Sequence, residues 1–109
     1  MVKIAFFVAA AALCFETTSA IKEIGFGACF GDRIANGKYF AIFDGSSPTC
    51  FADAGTKKNM NLNGSGGFSS GNNAGYITYT WNKHTYTYHY KKKEILNLDL
   101  GKVKELHIN

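Results

Sequence analysis

The stretch Tyr76-Ile77-Thr78-Tyr79-Thr80-Trp81, Asn82-Lys83, His84-Thr85-Tyr86-Thr87-Tyr88-His89-Tyr90 decides the fold. Rings and aliphatic side chains alternate with threonine on both sides of a polar dipeptide, which is the period of a strand and not of a helix. With Asn82 and Lys83 as a two-residue turn, Trp81 faces His84, Tyr79 faces Tyr86 and Ile77 faces Tyr88. The opposite face then pairs Thr80 with Thr85, Thr78 with Thr87 and Tyr76 with His89. A four-residue loop closed by Thr80 and Thr85 keeps the same pairing. One face is aromatic and the other is a threonine array. The aromatic face is expected to pack the core while the threonines meet water, as in any half-exposed antiparallel pair. Either face also has binding chemistry, since rings stack on sugars and rows of hydroxyls suit a polymer.

Outward from this hairpin, no segment has helical periodicity. Short apolar runs alternate with glycine, asparagine and serine clusters about every ten residues, as in an all-β sandwich or barrel. The expected strands are Ile21–Phe26, Ala28–Phe30, Lys38–Phe43, Thr49–Ala52, Asn59–Leu62, Tyr76–Trp81, His84–Tyr90, Glu94–Leu98 and Val103–Ile108. Gly31-Asp32, Asn36-Gly37, Asp44-Gly45 and Asn63-Gly64 mark turns, being dipeptides that tolerate left-handed backbone angles. The polar stretch Asn63 to Asn73, with four glycines, reads as a mobile surface loop. Asn63-Gly64-Ser65 is a glycosylation acceptor sequence if the producer is a eukaryote.

The 109 residues allow one small domain. Twelve glycines, a single proline and 15% aromatic residues exclude a coiled coil, collagen or a disordered tail. Lys3, the apolar run Ile4 to Phe15 and the small residues Thr18-Ser19-Ala20 form the three parts of a secretory signal peptide over residues 1–20. Residues 21–109 are then the exported domain. The leader contains one lysine and one glutamate, so the net charge of +4 is unchanged by its removal. It also contains Cys14, which leaves Cys29 and Cys50 as a pair in an oxidising compartment, expected to be joined by one disulfide.

No motif points to catalysis, and the chain is expected not to be an enzyme. His84, His89 and His107 lack metal-ligand spacing, and no G-x-S-x-G elbow occurs. The glycine-rich stretch lacks the lysine of a phosphate-binding loop. Asp44-Gly45-Ser46-Ser47 supplies too few oxygen ligands for calcium. Neither a cofactor nor a metal is expected. Lys91-Lys92-Lys93 is the only charge run, and such a patch attracts anionic surfaces in a salt-dependent manner. Nucleic acid is not expected as the target of an exported chain whose single arginine is Arg33.

Cys50-Phe51-Ala52-Asp53-Ala54-Gly55-Thr56, followed by Ser70-Gly71-Asn72-Asn73, resembles the small antifungal proteins secreted by Streptomyces. Those belong to a killer toxin-like group with the βγ-crystallin fold. Cys29 and Tyr39-Phe40-Ala41-Ile42-Phe43-Asp44 fall at about the family's spacing upstream. The resemblance implies two four-stranded Greek-key sheets packed as a sandwich, and antifungal activity without catalysis. The implied target is a cell-wall polysaccharide of the chitin class. The chain departs from the family in having one disulfide where relatives often carry more, and in its glycine-rich stretch.

The resulting expectation is a secreted, monomeric, non-enzymatic antimicrobial protein acting on a target cell surface, or an effector if the producer is a fungus. Its expected contact residues are the exposed aromatics and threonines of the Tyr76–Tyr90 hairpin, Thr78, Thr80, Thr85 and Thr87 among them, with Lys91, Lys92 and Lys93. The alternative is a secreted protease inhibitor of the same fold, presenting the Gly31–Gly37 or Gly45–Cys50 loop to a protease cleft.

Overall fold

The computed structural model describes residues 21–25, 27–29 and 37–109. The expected signal peptide, the expected Gly31-Asp32 turn and nearly all of the Gly31–Gly37 loop named in the inhibitor alternative lie outside the described residues. The strands in chain order are β1 (Lys22–Ile24), β2 (Phe40–Asp44), β3 (Ser47–Ala52), β4 (Gly55–Lys57), β5 (Leu62–Asn63), β6 (Gly67–Ser69), β7 (Gly75–Trp81), β8 (His84–Tyr90), β9 (Ile95–Leu96) and β10 (Lys102–Ile108). They form two antiparallel sheets. The first has the order β9-β6-β2-β3-β1, and the second β4-β10-β7-β8 with β5 also paired to β10. The all-β class therefore holds, with five strands in each sheet among the described residues where the family resemblance implies four.

The hairpin has the register its sequence dictates, from Trp81 opposite His84 to Tyr76 opposite His89. Asn82 and Lys83 have φ of 51° and 67°. Two consecutive positive values make a type I′ turn, whose twist matches that of the flanking strands. The partner strand β10 carries a register shift between Val103 and Glu105. This bulge lets Val103 and Leu106, an odd number of residues apart, both reach the core and become fully buried.

One core joins the sheets. Phe40, Ile42, Phe51 and Phe68 come from the first sheet and Ile77, Tyr90, Leu106 and Ile108 from the second. Phe40 stacks on Phe68 at 5.2 Å between ring centroids and packs against Tyr90 at 4.6 Å. Each such side chain contributes roughly 1.5–3 kcal/mol by leaving water. The hydroxyl of Tyr90 donates to the His107 carbonyl, 2.6 Å away, which satisfies the polar end of a buried ring.

On the far side of β2, Ala41 packs against the Cys29–Cys50 disulfide. Residues 27–29 are helical, with the Cys29 N–H donating to the Gly25 carbonyl at 2.9 Å. The strand expected at Ala28–Phe30 is thus not formed. Ile24 already pairs with Cys50, so five further extended residues would run roughly 17 Å past it. The helical turn at 27–29 shortens that span, and Cys29 lies 5.4 Å from Cys50 between Cα atoms.

The Asn63–Asn73 stretch is a second correction. It is not a mobile surface loop but contains β6, which lies between β9 and β2. Phe68 and Ser70 are fully buried there. The Ser70 hydroxyl donates to the Lys91 carbonyl (2.7 Å) and accepts the Glu94 N–H (2.8 Å). The glycines serve close approach: at Gly67 (φ +86°) a Cβ would lie 1.8 Å from the Leu96 carbonyl oxygen. Asn63-Gly64 makes no turn either, because Asn63 pairs with Lys102 and the chain turns at Ser65-Gly66. Of the expected strand Asn59–Leu62 only Leu62 is in a strand; Asn59 has φ 58° and Met60 points into the core.

Candidate functional site

The aromatic face of the hairpin is covered by the other sheet at one end only. Ile77 is fully buried and Tyr90 nearly so, whereas Tyr86 is 42% exposed and Trp81 46%. Tyr79 and Tyr86 stack across the strands with centroids 5.4 Å apart. The turn end of the aromatic face thus overhangs the core.

The segment between β9 and β10 comes back over this overhang. Leu100 is its anchor, fully buried, with its N–H donating to the Gly64 carbonyl at 3.1 Å. In return the Gly64 N–H donates to the Gly101 carbonyl at 2.8 Å. The two residues before the anchor, Leu98 and Asp99, are held beside the rings. The Asp99 carboxylate accepts the Gly101 N–H through Oδ1 at 2.9 Å, which fixes its direction. Tyr79, Trp81, Tyr86, Leu98 and Asp99 line an open cavity of about 250 Å³. A ring-walled slot with a single oriented carboxylate at its rim suits a ligand with an apolar face and hydroxyl donors at its edge.

The threonine array is formed on the opposite face. Thr85 and Thr87 are exposed, Thr78 and Thr80 half-buried, and the Thr78 and Thr87 hydroxyls lie 3.2 Å apart. Alongside it, Tyr76 stacks on His107 (4.9 Å between centroids) with His89 on its other side at 5.9 Å. The Tyr76 hydroxyl donates to Glu105 at 2.6 Å, which raises its pKa above that of a free phenol by stabilising the protonated form. His107 Nδ1 lies 2.7 Å from the Thr56 hydroxyl. His84 is exposed, on the aromatic face of the hairpin. The histidines are therefore split between two faces, and among the described residues no three His, Cys, Asp or Glu side chains converge as a metal site would need.

Lys91, Lys92 and Lys93 are exposed in the turn after β8. They lie at the opposite end of that strand from Trp81, roughly 20 Å away at 3.4 Å per residue. The structure does not bring them together with the aromatic cavity. Glu94 accepts from the Tyr88 hydroxyl and from the Lys91 N–H, and both bonds hold its carboxyl below the usual carboxylate range. The Gly45–Cys50 segment is not a free loop, since Gly45-Ser46 is a tight turn and Ser47–Cys50 belongs to β3. The glycosylation candidate Asn63 is half-buried, with Oδ1 accepting the Ser65 N–H at 3.0 Å.

Leu98 and Asp99 were not among the residues expected to bind. Their signal in the sequence is weak, because only the returning segment places them beside rings 12 to 20 residues earlier in the chain. No known protein family matches the chain, and neither a curated protein nor a solved structure matches it.

Proposed function

We propose that this is a non-enzymatic carbohydrate-binding protein of the cell exterior, which holds a sugar unit of a cell-wall polysaccharide in the Tyr79–Trp81–Tyr86 cavity. The observation that carries the reading is that three rings, an exposed leucine and an oriented carboxylate share one open cavity instead of being scattered. Isolated exposed apolar residues are ordinary, but a contiguous group around a concave site marks recognition. A sugar ring presents an apolar face to Trp81 and hydroxyl donors to Asp99. The buried disulfide in a small domain is compatible with an extracellular protein.

The killer toxin-like, βγ-crystallin assignment belongs to the same proposal. Two antiparallel sheets around one core, with Cys50 in the strand beside the sheet edge, support it. Antifungal action through a chitin-like polymer is its functional extension.

The test is binding to insoluble chitin and β-glucan, and calorimetric titration with their soluble oligomers. Trp81→Ala and Tyr86→Ala are expected to lower affinity at least tenfold and the melting midpoint by only about 4–8 °C each, since a half-exposed ring contributes about 1 kcal/mol. Binding that survives both substitutions would overturn the site, and no binding of the unaltered protein to any saccharide would overturn the function. Growth inhibition of yeasts and filamentous fungi, lost in Trp81→Ala, then separates an antifungal protein from a simple lectin.

A further inference from the structure

We infer that the end of the molecule opposite the aromatic cavity is a docking surface for an anionic lipid bilayer. Three segments distant in sequence are knitted together there by backbone hydrogen bonds. The Lys93 N–H donates to the Gly71 carbonyl and the Asn72 N–H to the Gly37 carbonyl, each at 2.5 Å. The Asn73 side chain adds a bond from Nδ2 to the Lys38 carbonyl at 3.2 Å. Gly71 permits this approach, since a Cβ there would sit 2.2 Å from the Gly37 carbonyl oxygen. The knit places Lys38 on the same end as Lys91, Lys92 and Lys93, and all four are exposed.

The acid within this cluster, Glu94, is half-buried; the Tyr88 hydroxyl and the Lys91 N–H bond to its carboxylate oxygens, and the Lys91 ammonium adds a favourable charge. Among the described residues, Lys91, Lys92 and Lys93 make no ion pair; the pair found there is Lys22 with Asp53. The lysine run is therefore available to an external anion.

An apolar residue completes the surface. Two positions after Lys93, Ile95 is 68% exposed while its neighbour Leu96 packs against the core. A soluble polyanion would engage the lysines and leave Ile95 in water. A bilayer with anionic headgroups takes both, binding the ammonium groups at the phosphate level and the isoleucine below it. The surface lies roughly 20 Å from the aromatic cavity, so the two can be engaged together, and this proposal does not depend on the saccharide reading.

The test is co-sedimentation of the oxidised protein, in the form its cell produces, with vesicles. One set is phosphatidylcholine alone and the other contains about a third phosphatidylserine. Each lysine near an anionic surface strengthens partitioning about fivefold, so Lys91→Gln/Lys92→Gln/Lys93→Gln together should weaken binding roughly a hundredfold. Ile95→Ser should weaken it further at unchanged charge, and raising the salt from 50 to 500 mM should release the protein. All four residues are exposed, and a melting curve for each variant confirms folding. No binding to anionic vesicles, equal binding to both sets, or no loss in the triple variant would overturn the proposal. Capture by heparin without capture by vesicles, or indifference to Ile95→Ser, would replace the bilayer with a soluble polyanion.

Discussion

Replacing Cys29 and Cys50 together by alanine should cost about 3 kcal/mol. The two residues are 21 positions apart, and cross-linking a loop of that length removes about that much conformational free energy from the unfolded chain. Small domains have roughly 5–15 kcal/mol to lose, so the bond accounts for a substantial share. At about 4–8 °C per kcal/mol for a domain of this size, the melting midpoint should fall by roughly 12–24 °C. Serine should be worse than alanine. Both sulfurs are fully buried among Ala41, Ile24, Tyr39 and Phe43, where a hydroxyl without a partner costs about 1–3 kcal/mol more.

Thermal and urea unfolding of the oxidised protein and the two double variants provide the measurement, with amide exchange to locate the damage. The strand that depends on the bridge is β1, three residues long and, among the described residues, paired only to β3 at the sheet edge. Its amides should lose protection first, while β7, β8 and β10 keep theirs. An alanine variant that melts within a few degrees of the parent would refute the loop-entropy reasoning. Protection lost first in the Tyr76–Tyr90 hairpin would refute the location.

Gly67→Ala should destabilise by about 3 kcal/mol or more, combining a positive φ with a clash against the Leu96 carbonyl, whereas Gly45→Ala (φ +62°, no atom within 4 Å) should cost only about 1–2 kcal/mol; equal losses in urea denaturation would remove the clash from the account. Glu94 titrates lower in the folded state than in the unfolded chain, so the stability it adds is present above its unfolded pKa near 4.5 and is lost as pH falls through the lower folded value. Glu94→Gln should flatten the acid limb of the stability curve below about pH 4.5, and an unchanged limb would show that its bonds to Tyr88 and Lys91 do not contribute.

The hairpin was legible because two signals agreed. Strict alternation fixed which side chains share a face, and the two-residue turn fixed the register, so each pair from Tyr76–His89 to Trp81–His84 could be named. The Asn63–Asn73 stretch was misread because abundant glycine looks the same whether it provides freedom or close approach. Only the Leu96 and Gly37 carbonyls, which other segments bring alongside, distinguish the two. The bulge in β10 was hidden for a related reason: Val103 and Leu106 conflict with period two, and only a partner strand shows how the conflict resolves. Among the expected contact residues, the threonines do share one face. The lysines lie at one end of the hairpin and the exposed rings at the other, a separation that a linear reading of the turn positions did not reveal.

A purely structural account of the rings meets a difficulty within β8 itself. Tyr90, Tyr88 and Tyr86 lie on one face at successive steps, with the same side chain at each. Burial falls along the series, from 4% exposed at Tyr90, through half-buried Tyr88, to 42% at Tyr86. If the rings served only the core, the pattern would end where the facing sheet ends. Polar residues would then follow, as the cost of exposed aromatic surface favours. Instead the pattern runs on to Trp81, and the chain between β9 and β10 adds Leu98 beside it. Tyr79 still packs against the core and stacks on Tyr86, but those contacts leave nearly half of Tyr86 and Trp81 in water. Apolar surface kept in water, gathered around one cavity and edged by an oriented carboxylate, is explained by a ligand that covers it.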